Sequence, residues 1–425
     1  MGNYPALADA LTGPRANGIL NASIDFSFPL MENLQMKRVY LDHNATTPVA
    51  PEVLAAMLPY FGESYGNASS IHAFGQDARG AVERARLSVA ALMGAQPSEI
   101  TFSSGGTESN NQAIFGVLGS APEPGRHVIT SAIEHVAVLD SCKELAKRGV
   151  DVTFLRVDRD GLVNPEDVRR AIRPATALIT LMLANNELGT VEPIEEIGKI
   201  AAENGIVFHT DAVQAAGKIP IDVARLGVHL LSIAAHKFYG PKGVGALYVR
   251  KGTQLKPLLH GGHSERDRRP GTEDVAAIAG MGKAADLAIK NLQEEAARIG
   301  ALRDRLEKGL LERVPHCWVN GARAPRTPNT TNMTFPFIEG EAMVIALDLK
   351  GIACSTGAAC SSGAVEPSHV LTAIGLSPED ARATLRLSLG HQNTREEIDF
   401  ALETIPAVIE RLRLLSPVYK KPINA

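Results

Sequence analysis

The chain has 425 residues, 45% hydrophobic and 21% charged, with a formal net charge of −4. That balance excludes a nucleic-acid-coating or polybasic membrane-surface protein, and the length implies two or three domains or one large α/β unit with an appendage. Four cysteines (Cys142, Cys317, Cys354 and Cys360) are too few for a disulfide scaffold, and apolar runs such as 177–184 are too short to span a bilayer, so a cytoplasmic globular enzyme is expected.

Residues 1–35 carry Gly2, Pro5, Gly13, Pro14, Gly18 and Pro29 with no sustained period. They lack the basic start and apolar core of a signal peptide and the Arg-rich character of a transit peptide. A flexible tail, or a stretch upstream of a natural start at Met36, is expected. From Met36 onward, apolar β-type runs at 99–102, 127–130, 152–157, 177–183, 205–209, 229–233 and 244–249 alternate with amphipathic segments at 111–118, 137–148, 165–172 and 194–204. Nearly continuous apolar strands separated by helices predict an α/β protein with a mostly parallel, seven-stranded sheet covered by helices. A short helix at 222–225 precedes the last two strands, and a long helical stretch runs over 275–314. New strands near 331–336, a Gly/Ala/Ser loop at 355–364 and amphipathic helices follow. The expected division is a tail at 1–35, a large domain at 36–295 whose first residues can pack on the small one, and a smaller α+β domain at 296–425.

In open α/β sheets, ligands gather at the carboxyl ends of the strands. The turn Ser103-Ser104-Gly105-Gly106-Thr107-Glu108 leaves a predicted strand and opens a helix. Its glycines let backbone N–H groups approach an anion, and Thr107 adds a hydroxyl; an ordinary capped helix start is the competing explanation. Asp211 lies at the exit of the 205–209 strand, and Lys237 follows the 229–233 strand. A lysine there is costly to desolvate unless it is paired, exposed or chemically modified. Taken singly, each is as readily structural. Together they match pyridoxal 5'-phosphate (PLP), which needs a Schiff-base lysine (Lys237), an acid opposite the pyridine nitrogen (Asp211) and a phosphate site (Gly106, Thr107).

The ordered motifs go further. They are Tyr-Leu-Asp-His-Asn-Ala-Thr-Thr-Pro at 40–48, residues 104–111, Ile-Glu-His at 133–135, Asn-Asn-Glu-Leu-Gly at 185–189, residues 211–214, His-Lys-Phe-Tyr-Gly-Pro-Lys-Gly at 236–243, Arg-Arg-Pro-Gly-Thr at 268–272 and residues 354–367. Over roughly 36–411 the chain resembles the cysteine desulfurases, class V aminotransferases of PLP fold type I. The resemblance implies that His135 stacks on the pyridine ring and moves protons, and that Asn186 and Gln214 hydrogen-bond near the phenolic oxygen. His236 would help position the phosphate end, and Thr272 would reach the phosphate of a neighbouring subunit's cofactor, which implies a homodimer. Arg386 would clamp the substrate carboxylate, and Asn186 would also serve the substrate. Cys360, in the small-residue loop, would be the nucleophile that takes sulfur from L-cysteine as a persulfide and hands it to an acceptor for iron–sulfur cluster assembly or thiolation.

Three positions depart from the family pattern. Ala234 replaces the usual phosphate-binding Ser three residues before the lysine, so weaker cofactor retention is expected. Asp267 stands where Gly is common, and Ala68 replaces Pro. The spacing Cys354-x5-Cys360 raises a metal pair or a redox disulfide as a rival, but no second Cys/His pair at zinc spacing accompanies it, and no metal is expected. Cys142, Cys317 and Cys354 read as packing. Selenocysteine lyase or another class V activity is the alternative within enzymes, and a non-catalytic sulfur-relay or scaffold-binding protein is the alternative outside them. Neither nucleic acid nor membrane is an expected partner.

Overall fold

The computed structural model describes residues 38–120, 126–356 and 367–419. The tail expected at 1–35, Cys360 and most of its loop lie outside these described residues.

A two-residue strand β1 (Val39–Tyr40) leads into α1 (Pro51–Met57) and α2 (Ala73–Met93). Then come β2 (Ile100–Ser103), α3 (Gly106–Ser120), β3 (His127–Ser131), α4 (Val136–Lys147), β4 (Asp151–Leu155), α5 (Pro165–Ala171) and β5 (Thr176–Thr180). They are followed by α6 (Ile194–Glu203), β6 (Val207–Asp211), α7 (Val223–Leu226), β7 (Leu230–Ala234), β8 (Gly245–Val249) and α8 (Val275–Arg313). The remainder is β9 (Trp318–Asn320), β10 (Thr330–Thr334), α9 (Gly340–Asp348), β11 (Ile352–Ala353), α10 (His369–Ala373), α11 (Pro378–Arg382), β12 (Thr384–Ser388) and α12 (Arg395–Leu415).

The seven-stranded sheet runs β2-β8-β7-β6-β5-β3-β4. Only β8 is antiparallel to its neighbours, β2 and β7. The inner strands are buried along their length, as the apolar runs demand when helices cover both faces. The strands β2, β3, β6 and β7 end later than the periodicity suggested, and β4 and β5 end earlier. The expected 205–209 strand is Val207–Asp211 and the 229–233 run is Leu230–Ala234, so Asp211 and Ala234 are themselves the last residues of their strands. The helix expected at 111–118 begins at Gly106, because the glycine turn already forms its first residue.

Helix α2 is N-capped by the His72 side chain and stopped by Gly94 at φ +66°, and it buries an alanine-rich face (Ala78, Ala81, Ala85, Ala90). Small side chains let it approach α8, where a Cβ added at Gly282 would lie 2.5 Å from Ala85 Cα. A second cluster joins the later half of α8, β10, β12, α9 and α12 to Val39 and Leu41. The buried Cys354 packs in that cluster, as Cys142 packs on α4. The connections leaving β2, β3, β5, β6 and β7 all open at one end of the sheet.

Candidate active site

One cavity of about 190 Å³ at that end is lined by Gly106, Thr107, Asn110, His135, Asn186, Asp211, Gln214, Ala234, His236 and Lys237, among others. Eight of the nine expected cofactor residues therefore meet at one place. The ninth, Thr272, does not: it lines a separate, larger cavity with Arg79, Arg86 and Glu265.

Each wall has a local cause. Gly106 opens the 15-residue α3, presenting its free amides to the cavity, and a Cβ there would come within 2.7 Å of Val213 Cγ2. At the end of β6, Asp211 Oδ2 accepts from Asn110 Nδ2 at 2.6 Å and Oδ1 accepts from the Val213 N–H at 2.9 Å. His135 N-caps α4: its Nδ1 accepts the Ala137 N–H at 3.1 Å, which leaves Nε2 to carry the proton of the neutral ring. The His135 ring keeps an accessible edge, yet the protein around it desolvates the ring and lowers its pKa, opposed by the Asp211 carboxylate.

Lys237 Nζ donates to the carbonyls of Asn44 and Ala45, at 2.6 and 2.7 Å. Burial and then the Arg386 cation lower its pKa to about 8, so the free amine is far more accessible near neutrality than for an ordinary lysine. His236 is pushed down to about 4 by burial and then by Lys237, and its Nδ1 lies 3.2 Å from Thr46 Oγ1. Arg386, on β12, donates from Nη2 to Asp42 Oδ1 at 2.8 Å and from Nη1 to the Asn186 carbonyl at 3.2 Å, while its Nε is buried without a partner.

The residues flanking the undescribed 357–366 are fastened beside this cavity. Ser355 and Arg386 exchange backbone hydrogen bonds. On the far side, Ser368 Oγ donates to Glu187 Oε2 at 2.6 Å, and His369 Nε2 lies 2.9 Å from the Glu134 carbonyl, next to His135.

Pyridoxal phosphate fits these residues. The cavity combines an amine, a carboxylate, an anion cradle at a helix N-terminus and two buried amide oxygens without partners, Asn186 Oδ1 and Asn110 Oδ1. Asn110 was not singled out from sequence, though it lies one helical turn after Gly106 and so on the same face of α3. Asp42 and Asn44, which meet the cavity residues from the N-terminal segment, carry no local signal beyond the motif that holds them.

The aminotransferase class-V family matches the chain over residues 39–400, and the chain belongs to it. Within that family the similar proteins are cysteine desulfurases. The chain is 52% identical over 387 residues to cysteine desulfurase IscS of Dictyoglomus turgidum, covering 91% of this chain and 98% of that protein. It is 51% identical over 385 residues to cysteine desulfurase IscS of Methanosarcina thermophila, covering 91% and 95%. Among solved structures, a NifS-like protein superposes with a TM-score of 0.82 at 38% identity, covering 88% of this chain and all of that one. SspA in complex with cysteine superposes with a TM-score of 0.75 at 42% identity, covering 82% and 98%.

Proposed function

We propose that this chain is a PLP-dependent cysteine desulfurase that converts L-cysteine to L-alanine and carries the released sulfur as a persulfide on Cys360. The observation that carries the reading is the convergence of Lys237, Asp211, His135 and the Gly106–Thr107 helix start on one cavity. When bound, PLP supplies an electron sink for negative charge at the substrate α-carbon. Gly106, Thr107 and His236 would hold its phosphate, Asp211 its ring nitrogen, Asn186 and Gln214 its phenolic oxygen, and Lys237 its aldehyde carbon.

The chain's own residues divide the remaining work. Arg386 orients the substrate carboxylate through its planar guanidinium, a bidentate task that lysine performs poorly. Lys237, with its lowered pKa, takes the α-proton. His135, neutral with its proton on Nε2, moves a proton at the substrate sulfur. Cys360, four residues after Thr356, attacks that sulfur as a thiolate: the S–S bond forms as the C–S bond breaks, and alanine leaves once its β-carbon is protonated.

A homodimer is part of this reading. Thr272 lies outside its own chain's cavity, where it would serve a neighbour's cofactor. Leu58, Phe61, Tyr65, Ile71 and Phe74 are exposed on the stretch from the end of α1 to the start of α2. A cytoplasmic location, a scaffold or thiolation acceptor for the sulfur, and functional domains at 36–295 and 296–425 complete the proposal. Among the described residues no helix is long and apolar enough to cross a membrane.

The test is an assay of alanine and sulfide from L-cysteine with a reductant. Cys360→Ala should abolish both products while leaving the visible absorbance of bound PLP, and mass analysis should find 32 Da (about one sulfur atom) added to the Cys360 peptide of the wild type. Full turnover by Cys360→Ala would overturn the mechanism. A protein that takes up no PLP would favour the sulfur-relay alternative, and a preference for L-selenocysteine would favour the lyase.

A further inference from the structure

In a neighbouring cavity that shares Lys237 with the first, Lys218 Nζ donates to Gln214 Oε1 at 2.6 Å and to Asn44 Oδ1 at 3.2 Å. At the other end of the same amide, Gln214 Nε2 donates to the Asn44 carbonyl at 2.9 Å. That carbonyl is also one of the two that receive Lys237 Nζ. Asn44 is fixed in turn. Its Oδ1 accepts from Asn329 Nδ2 at 2.9 Å, and its Nδ2 donates to Thr330 Oγ1 and to the Asn186 carbonyl at 2.9 and 3.1 Å.

We propose that Lys218 is a positioning residue which, with Asn44, locks the Gln214 amide so that it presents a hydrogen-bond donor, and never an acceptor, to the cofactor cavity. This rests on the PLP reading above and deepens it. A carbonyl can only accept, so the Gln214 atom facing the Asn44 carbonyl must be the NH2 group, and the atom facing Lys218 must be the oxygen. One N–H goes to Asn44; the second remains for the cavity that Gln214 lines. Burial beside Lys237 and Arg386 lowers the Lys218 pKa. The orientation does not depend on the charge, because a neutral amine still has hydrogens to give to Gln214 Oε1 and Asn44 Oδ1. His43, His236, Tyr239, Glu295 and His391 also lie around Lys218; His43 and His236 are both held near pKa 4 by burial, hence neutral, and burial raises the pKa of the Tyr239 hydroxyl, which stays protonated.

The consequence concerns the anionic oxygen of the cofactor. A donor there weakens that oxygen's hold on the proton at Lys237 Nζ; a flipped amide would turn an oxygen lone pair toward it and strengthen that hold. Losing Lys218 and losing Gln214 should therefore have the same effect through the same group.

The experiment is a pH titration of the visible absorbance of the PLP-loaded protein. Lys218→Met and Gln214→Leu should each raise the transition midpoint by about one pH unit. The double variant should move it no further than either single one, and Lys218→Arg, which can donate to both oxygens, should keep the wild-type midpoint. Additive shifts would mean that Lys218 acts by its own charge and would overturn the proposal. So would an unmoved midpoint in Lys218→Met or Gln214→Leu, including a result in which only the thermal stability falls. If Lys218→Met does not fold, Lys218→Ala, which likewise brings no hydrogen-bond donor, is read in the same way. Failure of the underlying PLP reading looks different: wild type and Lys237→Ala would then show the same absence of visible absorbance.

Discussion

Single residues in this site are tuned mainly by burial. Lys237 and His135 are shifted down and Glu134 is pushed up to about 8, each with desolvation as the leading cause. Glu134 Oε1 accepts from Ser131 Oγ and the Met182 N–H, while Oε2 is buried without a partner, so the carboxyl is neutral in the fold. Its folded pKa is raised, so its contribution to stability is complete below pH 4.5 and is lost as pH rises to about 8. Glu134→Gln, which stays neutral, should therefore gain on the wild type between those limits, by an order of a few kcal/mol, and by no more above pH 8. Urea unfolding at pH 5 and pH 8 measures the difference. Ala234 argues in the same currency. It is buried, its Cβ lines the cavity near Gly106, and it brings no hydroxyl to the phosphate. Ala234→Ser should tighten PLP by about tenfold, the worth of one hydrogen bond to a charged group, as read by equilibrium dialysis.

At the scale of elements, strands carry the chemistry at their ends and helices set the spacing. The crossing of α2 and α8 shows how sharply. Alanine normally favours a helix interior over glycine by up to about 1 kcal/mol. At Gly282 the sign should reverse, because the added Cβ would meet Ala85 Cα at 2.5 Å and backbone cannot yield as a side-chain tip can. Gly282→Ala should cost about 1–3 kcal/mol and lower Tm. Gly300→Ala, on the same helix but no closer than 3.7 Å to Pro328 Cβ, should stabilise by about 0.5–1 kcal/mol. Thermal unfolding of the two variants side by side tests the packing, since intrinsic propensity alone predicts the same sign for both. The elements also show why sequence periodicity located strands well and their ends less well. A buried parallel strand reads as a continuous apolar run, and polar terminal residues such as Thr210 and Asp211 break the run before the ladder stops.

For the whole molecule, the proposed homodimer rests on Thr272 lining a cavity apart from its own chain's site. If a neighbour's Thr272 completes each site, the protein should sediment at twice the 45.2 kDa chain mass. Thr272→Val should weaken PLP retention without changing the cofactor's absorbance maximum. A monomer with full PLP affinity would refute that assembly. Mixed dimers of Thr272→Val and Lys237→Ala chains sharpen the test. A cofactor held at the intact Lys237 of the Thr272→Val chain faces the unaltered Thr272 of the other chain, so retention should return to the wild-type level.

The amino-acid sequence by itself determined the fold class, because hydrophobic period and strand–helix alternation are local properties that survive without knowledge of contacts. It also pointed to Lys237, Asp211 and the Gly106–Thr107 turn as one chemical set at strand exits, and to His135 through the resemblance of its motif to the family's. Only the tertiary structure decided what those residues lean on. Asn44 meets Lys218, Gln214 and Lys237 across more than 160 residues of chain, and Asp42 meets Arg386 across 344. Asn110 gained its role by facing Asp211 from another element. Such partners are fixed by packing between distant segments, and neither composition nor spacing records which side chains will be neighbours once the segments close.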